Sequence, residues 1–270
     1  MNKKYNSVLS IAGSDSSGGA GIQADIKSIS ANGGYAATVI TATTAQNTQG
    51  VFDIHVIPIA HIEAQLEAVL SDIEFGAVKI GMLHSVEVID VVEKKLEEYG
   101  VSKIILDPVM VSTSGKKLLV DDAMERLNKF IPKVYLITPN IPEAEILIDE
   151  KISKENLEES AIKIAKKYKV SVLLKGGHLE DSDELIDTLC LNESFRCISI
   201  KNRLIDTINT HGTGCSLSST IATYVSLDFG LEESTVKACA YLNKAIYEGK
   251  DMRLGKGHGP LKHFFGLKEI

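Results

Sequence analysis

Residues 7–21 read SVLSIAGSDSSGGAG: a short apolar run, a turn of small residues and the opening of a helical pattern. Residues 7–12 form the kind of brief apolar segment that a strand covered on both faces requires. From Gly21 to Asn32 apolar side chains return three or four positions apart, and Asn32-Gly33-Gly34 supplies a stop. The same unit recurs along the chain. Residues 36–41, 77–80, 103–106, 134–137 and 170–174 are further candidates for buried strands. Residues 59–70, 86–99, 123–130, 154–168, 215–229 and 232–248 carry the helical pattern. In 154–168, Leu157, Ala161, Ile164, Ala165 and Tyr168 share one face while Lys and Glu take the other. Such alternation predicts an α/β fold with a mainly parallel central sheet and helices on both faces. Residues 183–191 and 195–200, joined by Asn192-Glu193-Ser194, predict an antiparallel hairpin near one sheet edge. No linker, low-complexity tract or internal repeat interrupts the pattern, so residues 1–270 are expected to form a single domain.

The composition narrows the classes of function. Of 270 residues, 44% are hydrophobic and 24% charged, which suits a globular chain with a sizeable core. No stretch reaches the roughly 20 apolar residues of a membrane span. The start, Met1-Asn2-Lys3-Lys4-Tyr5-Asn6, lacks the apolar run and cleavage site of a signal peptide, so a cytoplasmic location is expected. A net charge of −7 and the lack of a Lys/Arg block speak against nucleic acid as a partner. An anionic ligand would have to be drawn by a helix N-terminus or a placed lysine. The four cysteines show no C-x-x-C pair and no zinc-type spacing to the seven histidines, which predicts free thiols. Cys190, Cys197 and Cys239 lie in apolar segments and are expected to be buried.

In a sheet of this type ligands bind beyond the C-terminal strand ends, so the residues that follow each strand carry the chemistry. Gly13-Ser14-Asp15-Ser16-Ser17-Gly18-Gly19-Ala20-Gly21 fits neither G-x-x-x-x-G-K-[ST] nor G-x-G-x-x-G. It reads either as a plain turn or as a floor where the backbone approaches a flat ligand closely. Asn209-Thr210-His211-Gly212-Thr213-Gly214-Cys215 opens an apolar helix, which makes an anion site of its unblocked N–H groups. A cysteine in that first turn is expected to have its pKa lowered from about 8.5; a buried thiol in a loosened turn is the alternative. His211 reads as a structural hydrogen-bonder. In Thr138-Pro139-Asn140-Ile141-Pro142-Glu143-Ala144-Glu145, Asn140 and Glu143 could organise Mg²⁺ through waters. A capping box between the two explains the same spacing without a metal. Asp107-Pro108, also at a strand end, adds a carboxylate. Lys175-Gly176-Gly177-His178 offers a lysine that can reach a phosphate or stay solvated.

Taken together, these segments resemble the ribokinase-like superfamily, and within it the hydroxymethylpyrimidine/phosphomethylpyrimidine kinases of thiamine biosynthesis. The matching stretches are IAGSDSSGGAGIQAD (11–25), TAQNT (44–48), KIGM (79–82), DPVM (107–110), TPNIPEAE (138–145), LLKGGH (173–178), NTHGTGC (209–215) and GHGP (257–260). The resemblance implies ATP and a pyrimidine as substrates, Mg²⁺ as cofactor and a homodimer. It implies that Gly13, Ala20, Gln46, Asp25, Met82 and Val109 surround the pyrimidine, with Gln46 on the ring edge. Asn140, Lys175 and Thr207 would contact ATP phosphates or their metal shell, and Asp107 and Glu143 would act through Mg²⁺. Gly212, Thr213 and Gly214 would form an anion hole, with Cys215 where sugar-kinase relatives carry an aspartate base.

Pyridoxal kinases share the opening glycine loop and the HG-x-GC turn. Gln46 and the Ser114-Gly115 pair look like the pyrimidine branch, and Val111 and Ser112 stand where such pyridoxal kinases tend to carry a second cysteine. Thr113 replaces a lysine common among relatives, with Lys116 nearby, and Ile208 replaces a charged residue. Three readings follow: a kinase that phosphorylates the pyrimidine twice, a pyridoxal or dual-specificity kinase, and a non-catalytic pyrimidine-binding protein.

Overall fold

The computed structural model describes residues 4–110, 121–177 and 184–267. The features noted at Val111, Ser112, Thr113, Ser114, Gly115, Lys116, His178 and Asp183 lie outside these. The strands are β1 (Ser7–Asp15), β2 (Tyr35–Asn47), β3 (Gly50–Val56), β4 (Ala77–Ile80), β5 (Ile104–Leu106), β6 (Leu136–Ile137), β7 (Ser171–Leu174), β8 (Glu184–Cys190) and β9 (Cys197–Arg203). They form one nine-stranded sheet in the order β3-β2-β1-β4-β5-β6-β7-β8-β9. The central strands from β2 to β7 pair in parallel, while β3, β8 and β9 pair antiparallel.

The expected hairpin is β8–β9, with Cys190 opposite Cys197. A second antiparallel pair, β2–β3, was not legible at the other edge. β2 continues past residue 41 as the polar run Ala42–Asn47, and β3 is largely solvent-facing, so neither shows the apolar run that marks a buried strand. That extension carries Gln46 beyond the C-terminal end of β1, where Ser16 Oγ donates to its carbonyl.

The helices are α1 (Gly21–Ala31), α2 (Ile59–Leu70), α3 (Val86–Glu98), α4 (Asp121–Phe130), α5 (Ile141–Ile148), α6 (Leu157–Tyr168), α7 (Thr213–Ser226) and α8 (Leu231–Gly249). Successive strand residues face opposite layers. Leu9, Val78 and Leu106 pack with α2 to α6, while Val8, Ala77 and Ile105 pack with Ile29 of α1, Leu217 of α7 and Ala238 of α8. Burial on both faces explains why these strands are continuous apolar runs; each buried Val, Leu or Ile contributes about 1.5–3 kcal/mol. The chain leaves β1 for β2 on one side and reaches β4 on its other side. This is the switch in strand order at which a crevice opens.

Candidate active site

Asp15, at the end of β1, shapes the first glycine loop. Its buried carboxylate accepts the N–H groups of Ser17, Gly19 and Ala20 at 2.8, 3.0 and 2.8 Å. His211 Nε2 lies 2.8 Å from the same carboxylate. Burial alone would raise the pKa of Asp15, but the bonds from His211, Ser17 and Ala20 outweigh it and hold the group well below the usual carboxylate range. With Nε2–H given to Asp15, the Gln46 amide nitrogen 3.3 Å away cannot also donate to that atom and is left to the cavity. Gly21 is required by its φ of +56°; a Cβ there would sit 2.3 Å from the Gly13 carbonyl oxygen.

The two glycine loops lie against each other. Gly212 has φ +86°, and a Cβ on it would fall 1.9 Å from the Gly19 carbonyl oxygen. Gly212 is the N-cap of α7 and no side chain caps that helix; the Thr213 N–H donates to the Thr210 carbonyl, and Gly214 follows it on the cavity wall. The segment 257–260 props the turn from behind: Gly259 accepts from His211 N–H, while Asn209 Nδ2 reaches the carbonyls of Gly249 and Met252.

Cys215 stands in the first turn of α7, half-buried on the cavity wall. Its thiol is pushed up to about 11, mainly by burial and further by the carboxylates of Asp25 and Asp107; Lys79 and the Gly21 N–H pull the other way. The lowered pKa expected from a helix N-terminus is therefore overturned. Loss of water costs a thiolate more here than the helix end returns.

Beyond the ends of β5, β6 and β7, Lys175 Nζ lies 3.1 Å from Asp107 Oδ1, and Thr138 Oγ1 lies 3.2 Å from the same oxygen. Asn140 and Glu143 do form a capping box, at 2.9 and 2.8 Å. That box also fixes the Glu143 carboxyl inside the protein, where burial and the nearby Asp107 raise its pKa to about 7 despite Lys175. Asp107 and Glu143 raise that of Lys175, against its burial. A Cβ on Gly214 would approach Asp107 Oδ2 to 3.2 Å and Lys175 Nζ to 3.5 Å, so the start of α7 meets this charged cluster directly.

These groups open onto one cavity of about 760 Å³. Gly13, Ala20, Gln46, Met82, Val109, Asp107, Asn140, Glu143, Lys175, Gly212, Thr213, Gly214 and Cys215 all line it. Two expectations do not hold. Asp25 is fully buried beneath the floor, bonded to Lys79, Ser10 and Ser219, because one turn into α1 it points into the α1–α7 seam rather than at the crevice. Thr207 is outside the lining; its hydroxyl donates to the Lys250 carbonyl and accepts the Asn209 N–H. Asp15, Lys79 and Asp187 line the cavity without having been singled out. An aspartate just before Ser-Ser-Gly-Gly is an Asx-turn signal that marks Asp15 in retrospect. Lys79 sits inside an apolar strand, and that misplaced charge was its signal.

A family described as phosphomethylpyrimidine kinase matches residues 15–262. The chain belongs to that family. It is 40% identical over 260 residues to a hydroxymethylpyrimidine/phosphomethylpyrimidine kinase of Haemophilus influenzae, covering 95% of this chain and 96% of that protein. It is 44% identical over 266 residues to a thiamine biosynthesis bifunctional protein of Geobacter sulfurreducens, covering 98% of this chain but 53% of that one. The chain thus spans about half the length of that relative. A phosphomethylpyrimidine kinase of Clostridium difficile superposes with a TM-score of 0.77 at 42% identity, over 89% of this chain and 99% of the other. The pyridoxal kinase of Staphylococcus aureus in complex with ADP gives 0.87 at 29% identity, over 97% and 94%. The fold of this family member is ribokinase-like.

Proposed function

We propose that residues 1–270 form one kinase domain that transfers the γ-phosphate of ATP to 4-amino-5-hydroxymethyl-2-methylpyrimidine and then to the monophosphate. The observation that carries this reading is the shared cavity of Cys215, the α7 N-terminus, the Asp107–Lys175–Glu143 cluster and Gln46. Phosphoryl transfer asks mainly for positioning and charge stabilisation. Gln46 hydrogen-bonds the pyrimidine edge over the Gly13 and Ala20 floor, between Met82 and Val109. Asn140 and Lys175 hold ATP phosphates, and the turn Gly212-Thr213-Gly214 receives the transferred group, through the N–H groups of Gly212 and Gly214 because that of Thr213 donates to the Thr210 carbonyl. Cys215 takes the hydroxyl proton late in the first transfer.

Mg²⁺ suits the donors present. Among the described residues no group of three or more His, Cys, Asp or Glu is arranged to hold an ion alone. Two near carboxylates, one of them raised by burial and by the other, fit an ion that keeps several waters and shares its shell with phosphates. Asp107 and Glu143 would hold it through waters, and bound there it supplies positive charge beside the phosphates. A homodimer in the cytoplasm is part of the same proposal. No helix among the described residues is long and apolar enough to cross a membrane.

Pyridoxal is the second reading, favoured by the TM-score of 0.87 to a pyridoxal kinase. A panel of hydroxymethylpyrimidine, its monophosphate and pyridoxal with ATP, followed by product mass, separates the two. Gains of one and then two phosphates on the pyrimidine are expected; turnover of pyridoxal alone would overturn the leading reading. No ATP consumption with any of the three would favour the non-catalytic pyrimidine-binding protein.

A further inference from the structure

One turn of α7 beyond Cys215 lies a buried ion pair that none of the steps above uses. Lys79 on β4 and Asp25 on α1 have no solvent exposure, and Lys79 Nζ lies 2.9 and 2.8 Å from the two carboxylate oxygens. Ser10 of β1 and Ser219 of α7 donate to the same carboxylate, each at 2.5 Å. Ser219 follows Cys215 by four residues, so both occupy one face of α7 with Cβ atoms about 5–6 Å apart. Lys79 also lines the cavity together with Cys215. Its ammonium has three donors, and the bonds to Asp25 take two. A Cβ on Gly81 would stand 2.9 Å from Nζ, so this position keeps space for the ammonium.

A buried pair of this kind is often no more stabilising than an apolar pair of equal volume. Stability is therefore a weak account of charges at this position. We infer that Lys79, oriented by Asp25, is the charge partner of Cys215: a positioning residue that favours the thiolate during transfer to a neutral hydroxyl. The inference rests on the general-base reading of Cys215. As the acceptor oxygen bonds to the γ-phosphorus, the bond to the ADP oxygen breaks and its electron pair stays on ADP. The hydroxyl proton passes to Sγ, and Lys79 remains protonated throughout. Lys79 is held above its ordinary pKa by Asp25, Cys215 and Asp107 although burial opposes this, and Lys79 in turn draws Cys215 down.

The test reads the thiolate directly, through iodoacetamide labelling of the apo protein at pH 8.5, with the Cys215 peptide followed by mass. Asp25→Asn removes a negative charge and leaves Lys79 less neutralised, so labelling is expected to quicken at least about threefold. Lys79→Gln combined with Asp25→Asn keeps polar groups and zero net charge, and labelling is expected to slow at least about fivefold. In the double variant kcat of the first transfer falls at least about tenfold, with KM within about threefold and the second transfer little changed. Equal labelling in all three proteins, or shifts in the same direction, would overturn the inference. If the double variant does not fold, Asp25→Asn decides alone, and slower or unchanged labelling refutes the proposal. Labelling needs no substrate, so it separates this inference from the kinase reading, which fails instead if the unaltered protein phosphorylates no pyrimidine.

Discussion

Cys215 faces opposing forces within a few ångströms: burial and two carboxylates favour the thiol, and Lys79 and the Gly21 N–H favour the thiolate. A base of this kind matters only while the acceptor oxygen still carries a proton. The monophosphate is already largely a dianion near neutral pH, its second pKa being about 6. Cys215→Ala is therefore expected to lower the first transfer by roughly 10²–10⁴-fold and the second far less, assayed as separate half-reactions. Equal losses would refute the base role. Glu143 makes a different expectation. With a folded pKa of about 7, it binds more protons folded than unfolded between the free value of ~4.3 and that point. Stability of the apo protein should accordingly decline as pH rises through this window, by at most ~4 kcal/mol from this group. Glu143→Gln keeps the capping acceptor and should flatten the slope, measured as Tm at pH 5 and pH 8. An identical slope in the variant would rule the raised carboxyl out. Placement on the cavity was legible where a motif put a residue just past a strand end, as at Lys175 and Asp107. The Cys215 pKa was not legible, because the helix end is visible in sequence and the burial is not.

At the scale of elements, the site exists because two tight turns interlock. Gly212→Ala adds a strained φ and a clash with the Gly19 carbonyl, and should cost more than 1–3 kcal/mol and remove most activity. Gly33→Ala is the control. Its φ is also +86°, but nothing lies within 4 Å, so about 1–3 kcal/mol of strain should appear in Tm with kcat unchanged. Equal losses of activity in both variants would refute the interlock. The sequence pattern located β4 to the residue, since Ala77–Ile80 is a bounded apolar run. It placed α7 two residues late, because Thr213 and Gly214 look like turn residues rather than helix. It missed β3, whose side chains face water and carry no burial signal. Asp25 and Thr207 were assigned to ligands from resemblance alone; the direction of a helical side chain depends on how α1 packs on α7, and no local pattern states that.

For the whole molecule, ligands should tighten the fold through the sheet edge that they bridge. ATP with hydroxymethylpyrimidine at about 100 times Kd adds about 2.7 kcal/mol, which corresponds to a Tm rise of roughly 5–10 °C. A larger rise with pyridoxal than with the pyrimidine would favour the second reading. The layered α/β plan itself was legible end to end, because alternating strand and helix periods need no tertiary knowledge. One feature of that plan bears on biosynthesis. The Asp15–His211 bond joins positions 196 residues apart. While a ribosome is still making the first two hundred residues, the early loop has its own Asp15 turn but lacks the His211 bond and the Gly212 turn that lies against it. Acquisition of substrate affinity is thus a late event in the life of each nascent chain, and retention on an immobilised nucleotide would sort finished molecules from truncated ones.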